Sequence, residues 1–378
     1  MSTLLARSLR DPVLADLREK MVFLGGPRQV GKTTFCQSLL RNYHDGHPAY
    51  LNWDDLEHRQ RILRKDWPRA ERIVIFDELH KYARWRNLVK GFYDTQKSTH
   101  AFLVAGSARL DHYRKGGDSL LGRYHYYRMH PFTLPELGYE KDALTSLLQF
   151  GGFPEPYLKQ SERALRRWHL QRLDRVVGED LRDLERVREI SLVERLAEAL
   201  PDRVGAPLSI KNLAQTLEVD FKTANRWISL LENLYFAYRI PPYGAAKIRA
   251  VKKEQKLYLW DWSQISTEGG RFENLVASHL LKFCHFNEDT QGYRMELRYL
   301  RDVDKREVDF VVLRDRKPLF AVECKSGEKQ LSPHIPYFKA RTKIPKFYQV
   351  HLGTLRRSPL DGVELMPFSQ FCREEGLV

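Results

Sequence analysis

The chain has 378 residues, enough for two to four compact units at roughly 100–200 residues each. Its formal net charge of +14 favours a polyanionic partner, and an apolar share of 42 % excludes a disordered chain. Four scattered cysteines (Cys36, Cys284, Cys324, Cys372) form no C-x-x-C, so neither a zinc ribbon nor a disulfide framework is indicated.

The N-terminal MSTLLARSLRDPVLADLREK carries charges throughout and lacks the apolar core of a signal peptide. No apolar run approaches the about 20 residues that span a bilayer, so the expectation is a cytoplasmic protein with no membrane partner. Residues 21–40, MVFLGGPRQVGKTTFCQSLL, pass from an apolar strand through a Gly-rich turn into a helix. Gly26, Pro27, Arg28, Gln29, Val30, Gly31, Lys32 and Thr33 fit G-x-x-x-x-G-K-[ST], and Thr34 continues the phosphate-binding stretch. The glycines let backbone N–H groups close on phosphate oxygens, and the helix start adds its dipole. Lys32 would reach the β- and γ-phosphates of ATP, and Thr33 would hold Mg²⁺.

A second apolar strand, Ile73–Phe76, ends in Asp77-Glu78. After such a loop, Asp77 would bind Mg²⁺ through water and Glu78 would polarise the attacking water; the bland reading is an acidic pair capping the next helix. A third strand, Ala101–Val104, runs into Ala105-Gly106-Ser107. Ligands of open parallel sheets sit beyond the carboxyl ends of the strands, so Ser107 is placed to feel the γ-phosphate. LDHYRKGGDSLLGR then reads as a helix closed by Arg123, before the strand-like YHYYRM. Arg123 either reaches a nucleotide on a neighbouring subunit or satisfies the last carbonyls of its helix.

After GGFPEP the chain is charged and helical from Glu162 to Glu189. In residues 209–240, Ser209 can cap a helix whose apolar face is Ile210, Leu213, Ala214 and Leu217. A second helix has the apolar stripe Ala224, Trp227, Ile228, Leu231 and Tyr235, opposite Lys222, Asn225, Arg226 and Ser229. That spacing is helix-turn-helix with a polar, partly basic face, and the basic turn with Lys247, Arg249, Lys252, Lys253 and Lys256 would be a wing that grips phosphates. The alternative is a packing module with a solvated lysine edge.

The last hundred residues open with the helix GGRFENLVASHLLKF, where Glu273 lies beside the apolar stripe. The strand Glu307–Leu313 is interrupted by Asp309, and LFAVECK ends in Glu323 and Lys325, two apart and on one face. Glu323 with Lys325 alone is explained by an ordinary ion pair, and Glu273 by a first-turn carboxylate. Helix Glu, strand Asp, then Glu-x-Lys also resembles the PD-(D/E)xK nuclease core. There Asp309 and Glu323 would hold Mg²⁺ or Mn²⁺, with Glu273 on the metal through water, and Lys325 would act on the attacking water.

GGPRQVGKTT, IVIFDELHK, LVAGSA, SLLGR and GGFPEPYL resemble, in order, one group of prokaryotic AAA+ ATPases with an appended C-terminal domain of unknown function. The resemblance covers nearly the whole chain. It implies Lys32 and Thr33 as Walker A, Asp77 and Glu78 as Walker B, Ser107 as sensor 1, Arg123 as arginine finger, and a homo-oligomeric ring, hexameric by preference. Ala108-Arg109 departs from the small polar residues usual after the sensor-strand Gly. The expected fold is α/β: a P-loop AAA+ ATPase core (1–138), a helical lid and linker (139–188), a winged helix (189–262) and a restriction-endonuclease-like α/β domain (263–378). The expected function is ATP-driven processing of duplex or branched DNA. The alternative is a regulatory switch or a protein-remodelling ATPase, for which Trp85 would be a pore-loop aromatic.

Overall fold

A computed structural model describes residues 5–44, 46–106, 120–175, 190–244 and 254–378, divided into two compact units, Met1–Pro131 and Phe132–Val378. The first unit is built on β1 (Met21–Gly25), β2 (Tyr50–Asn52), β3 (Ile73–Asp77), β4 (Ala101–Ala105) and β5 (Tyr124–Arg128). They form one sheet in the order β2-β3-β4-β1-β5, parallel at every pairing. The runs MVFLG, IVIFD and AFLVA are buried along almost their whole length, as a parallel sheet covered on both faces requires. Helix α1 (Arg10–Asp16) precedes β1, and α2 (Lys32–Gln37), α3 (Leu56–Arg64) and α4 (Trp85–Gln96) lie between the strands in sequence.

An aromatic cluster that includes Phe23, Trp67, Phe76, Phe92 and Phe102 forms the core on one side of this sheet. The register sets Asp77 beside Ala105, and Ala105 beside Leu24. The loops that leave β1, β3 and β4 therefore start from one edge of the sheet.

The second unit begins with α5 (Lys141–Phe150), α6 (Pro154–Lys159), α7 (Glu162–Leu173) and α8 (Ile190–Ala199). Helices α9 (Ile210–Thr216) and α10 (Phe221–Asn233) follow, separated by a short turn. Ser209 caps the first, accepting from Asn212 N at 3.3 Å, and Asp220 caps the second, accepting from the amides of Lys222 and Thr223 at 2.8 and 3.1 Å. Ala224, Trp227, Ile228 and Leu231 are buried, as their helical spacing predicts. The pair β6 (Ala237–Ile240) and β7 (Lys256–Leu259) is antiparallel, with Ile240 opposite Lys256. Lys247, Arg249, Lys252 and Lys253 lie outside the described residues.

The rest of the unit is α11 (Glu268–Gln291) and a six-stranded sheet made of β8 (Met295–Arg301), β9 (Glu307–Arg314), β10 (Lys317–Lys325), β11 (Phe347–His351), β12 (Arg357–Leu360) and β13 (Val363–Pro367). Two short helices, α12 (His334–Lys339) and α13 (Phe368–Glu374), complete it. The strand order is β12-β13-β11-β10-β9-β8, antiparallel from β8 to β10 and parallel from β10 through β11 to β13. Arg314 pairs with Lys317, so Asp315 and Arg316 form a two-residue turn, both at positive φ, 52° and 65°. The register then shifts by one residue between Pro318 and Phe320 and pairs Val322 with Phe310, which brings the end of β10 alongside Asp309.

Candidate functional site

At the end of β1 the chain turns on Gly26, at φ 141°, where an added Cβ would stand 2.4 Å from the carbonyl oxygen of Met129. Gly31, at φ 94°, starts α2 in the left-handed region. Only glycine takes both positions without strain, and together they curl the loop around its own interior. Lys32 points into that interior. It is buried, and its Nζ donates to the carbonyl oxygens of Gly26 (3.0 Å) and Pro27 (2.7 Å). Burial lowers its pKa to about 8, against the pull of the Glu78 and Asp77 carboxylates.

Asp77, at the end of β3, is buried, and one carboxylate oxygen accepts from Thr33 Oγ1 at 2.8 Å and from the Tyr50 hydroxyl at 2.7 Å. Burial raises the Asp77 pKa and the two donors oppose it. Burial and the Asp77 charge push the Tyr50 phenol well above its usual value. A hydroxyl and a carboxylate side by side, all oxygen, is a donor set that suits Mg²⁺. Thr33 and, through water, Asp77 are the residues that would hold it.

Glu78 sits at φ 56°. For a residue other than glycine this conformation costs on the order of 1–2 kcal/mol, and such strain collects at working sites. Its amide donates to Ala105 O at 3.0 Å, and its carboxylate lies 3.3 Å from Lys81 Nζ. The β3–β4 register thus fixes the backbone of Glu78 while its side chain stays near the surface.

Two expectations for this unit change. Arg123 does not close a helix; it lies in the turn that enters β5, where its amide donates to Leu120 O at 2.9 Å. Its guanidinium pairs with Asp94 on α4 at 2.9 Å. Trp85 is no pore-loop aromatic: it is buried, with its ring centroid 5.6 Å from that of Phe23. Ser107 and the segment up to residue 119 lie outside the described residues.

In the second unit, Glu273, Asp309, Glu323 and Lys325 do gather, on α11, β9 and β10. Asp309 Oδ2 accepts from Cys324 N at 2.8 Å, and Lys325 Nζ donates to Glu323 Oε1 at 2.7 Å. Tyr258 on β7 donates its hydroxyl to Glu273 Oε1 at 2.7 Å. The unexpected member is Lys256, read above as part of a basic wing. Its side chain is buried, and its Nζ lies 2.5 Å from Glu307, 3.3 Å from Glu273 and 3.4 Å from Asp309. Burial opposes the ammonium charge, but the three carboxylates outweigh it and raise the Lys256 pKa well above the usual lysine value. Burial and the neighbouring Asp309 charge raise the pKa of both Glu273 and Glu323.

This corrects the expected metal set of Glu273, Asp309 and Glu323. The carboxylates do not converge on a common empty point: two of them aim at Lys256 and the third at Lys325. A divalent ion about 4 Å from an ammonium would meet a repulsion on the order of 8 kcal/mol at an effective dielectric of 20. The side chains as placed do not fit a metal.

The polar face of α10 also differs from expectation. Arg239 on β6 donates to Asn225 Oδ1 (3.3 Å), Ser229 Oγ (3.4 Å) and both carboxylate oxygens of Glu232 (2.8 and 2.6 Å). The stripe read as a recognition face is therefore occupied from within the unit at Asn225 and Ser229, and Lys222 remains exposed.

Residues 18–138 match the family described as "AAA domain". Residues 141–267 and 268–371 match two domains of unknown function, DUF8612 and DUF4143. The chain is 22 % identical to Uncharacterized protein MJ1544 of Methanocaldococcus jannaschii, over 91 % of this chain and 83 % of that protein. It is 24 % identical to Uncharacterized protein Rv2008c of Mycobacterium tuberculosis, over 65 % of this chain and 55 % of that protein. Among solved structures, the Holliday junction branch migration motor RuvB of Thermotoga maritima overlaps 62 % of this chain and 87 % of its own, at 16 % identity and a TM-score of 0.29. The ORC1 protein of Aeropyrum pernix, solved in complex with DNA, overlaps 71 % of this chain and 90 % of its own, at 15 % identity and a TM-score of 0.30. TM-scores this low say nothing about what this chain binds. The match over residues 18–138 supports an AAA-type ATPase domain there, and such a domain implies the use of ATP and Mg²⁺. Among the described residues, no helix is long and apolar enough to cross a membrane.

Proposed function

We propose that this chain is an ATP-hydrolysing protein that engages DNA, duplex or branched, as a homo-oligomeric ring. The observation that carries the ATPase part is Lys32, a buried ammonium that donates to two loop carbonyls, beside the Thr33–Asp77–Tyr50 oxygen cluster. Phosphate oxygens are better acceptors for that ammonium than the carbonyls, and exchange needs only a rotation of the side chain. In this reading the backbone N–H groups from Gly26 to Thr34, Pro27 excepted, cradle the phosphates, and Lys32 draws charge from the β- and γ-groups. Glu78 orients the water, Ser107 senses the γ-phosphate, and Arg123 serves the nucleotide of a neighbouring copy. Bound Mg²⁺ would neutralise charge on the phosphates.

The DNA part rests on the net charge of +14. Residues 189–262 would act as a winged helix, gripping backbone phosphate more than reading bases, since Arg239 occupies Asn225 and Ser229. Cutting by Asp309, Glu323 and Lys325 is not part of the proposal, because Lys256 stands among the carboxylates; the C-terminal sheet would hold a partner. The same occupied face favours, as a second reading, a switch that hydrolyses ATP without DNA.

The test is ATP turnover on duplex, single-stranded and four-way DNA, with mass photometry of the protein in the presence of a non-hydrolysed ATP analogue. Turnover is expected to rise with at least one DNA form and to fall at least about 100-fold in Lys32→Ala and Glu78→Gln. Turnover indifferent to every DNA, with no ring formed, would leave the switch reading standing.

A further inference from the structure

We propose that Lys256 is a chain-borne cation that takes the place of a divalent ion in the acidic cluster of the second unit, making the cluster a metal-independent clasp. Four carboxylates meet here, on Glu273, Glu307, Asp309 and Glu323, and three cations answer them, on Lys256, Lys325 and Arg301. Lys256 alone touches three of the acids, and they come from two elements: Glu273 from α11, and Glu307 and Asp309 from β9. One side chain on β7 therefore ties the helix to the sheet.

Other donors reach the same carboxylates. Tyr258 and Cys324 N donate into the cluster, and Arg301 donates to Glu307. The backbone at Gly205 closes over Glu273, since a Cβ there would lie 3.0 Å from both carboxylate oxygens. A hydrated metal ion would have to displace an ammonium that is bonded on three sides and covered by the chain. A buried cation satisfied in this way exchanges poorly, because removing it strands several buried charges at once.

The inference is independent of the ATPase reading, and its test uses the full chain without nucleotide. Mn²⁺ binding is followed by electron paramagnetic resonance in the wild type, Asp309→Asn, Glu323→Gln, Lys256→Met, and Lys256→Met with Asp309→Asn. The wild type, Asp309→Asn and Glu323→Gln are expected to bind the same amount of Mn²⁺. Lys256→Met should take up one further ion, at least tenfold tighter than any site of the wild type, and lose it when Asp309→Asn is added. The lowered melting temperature of Lys256→Met should recover in Mn²⁺, since an ion that binds only the folded state stabilises it. Wild-type binding that Asp309→Asn or Glu323→Gln removes would overturn the proposal, and this comparison needs no Lys256 variant to fold. A folded Lys256→Met that gains no ion would overturn it equally.

Discussion

Among the buried lysines, Lys32 and Lys256, one from each unit, are surrounded by opposite kinds of partner. Lys32 is held by the neutral carbonyls of Gly26 and Pro27, and burial lowers its pKa to about 8. Lys256 is held by Glu273, Glu307 and Asp309, and its pKa is raised. The first charge is under-compensated, and an incoming anion can complete it. The second is already complete and has nothing to offer a ligand. Both stretches look like basic, functional residues in the sequence; what separates them is whether acids arrive from elsewhere in the fold.

The sharpest way to break this comparison is to remove each ammonium in turn. Lys256→Met leaves three carboxylates without their shared cation, and should destabilise the second unit by about 3–5 kcal/mol. Lys32→Met strands no opposite charge bonded to it and removes a buried ammonium, so near neutral pH it should raise stability, by up to about 3 kcal/mol, while abolishing ATP turnover. Urea unfolding and turnover assays on both variants read the difference. Equal losses of stability would mean that Lys32, too, is chiefly structural.

A pH titration sharpens the same contrast. The pKa of Lys32 in the folded chain, about 8, lies below the ordinary lysine value of 10.5. The unfolded chain therefore binds more protons between these values, and stability without nucleotide should rise with pH across that window. The penalty is fully present below about pH 8 and is relieved towards pH 10.5, by an amount on the order of 3 kcal/mol. Taking the difference between wild type and Lys32→Met at each pH cancels the other titrating groups. ATP affinity should fall over the same range, as the ammonium that meets the phosphates is lost. A difference that stays flat from pH 8 to 10 would contradict the account.

The sequence makes the phosphate loop legible because its chemistry is local: Gly26, Gly31, Lys32 and Thr33 lie within eight residues, between a strand and a helix. The strands that carry Asp77 and Ala105 are equally legible as continuous apolar runs. β2 is not, because three residues, Tyr-Leu-Asn, carry no periodicity, and with it Tyr50 goes unseen. Glu307 could have been found, since it lies two residues before Asp309 and shares its face. Lys256 could not. It is 53 residues from Asp309 in sequence, and nothing local distinguishes it from the lysines of a solvated turn. The same holds for Arg239, whose role depends on how β6 meets α10.

Tyr50 supplies the next test. Its hydroxyl shares the Asp77 oxygen with Thr33, and so orients a carboxylate that would face Mg²⁺ only through water. Loss of such an orienting bond typically weakens metal binding by 10- to 100-fold, and the lower end fits here because Thr33 remains. Tyr50→Phe should raise the Mg²⁺ concentration for half-maximal turnover roughly tenfold and leave turnover at saturating Mg²⁺ within about twofold. A fall in saturated turnover with no change in Mg²⁺ requirement would place Tyr50 in substrate positioning instead.

The smallest effect belongs to Arg123, which stands on the exchangeable side of the comparison. Its pair with Asp94 at 2.9 Å is solvent-exposed, and exposed pairs of this kind contribute little to stability. An arginine that serves a neighbouring nucleotide must leave its resting partner, and a weak partner makes that inexpensive. Asp94→Asn should therefore leave the melting temperature essentially unchanged and raise turnover of the assembled protein by up to about twofold. Arg123→Ala should suppress turnover only at concentrations where copies associate, because the group acts on a nucleotide held by another chain. If Arg123→Ala leaves turnover unchanged across that range while Asp94→Asn lowers the melting temperature, the pair is a local tie between α4 and the entry to β5. Arg123 would then belong with Lys256 rather than with Lys32.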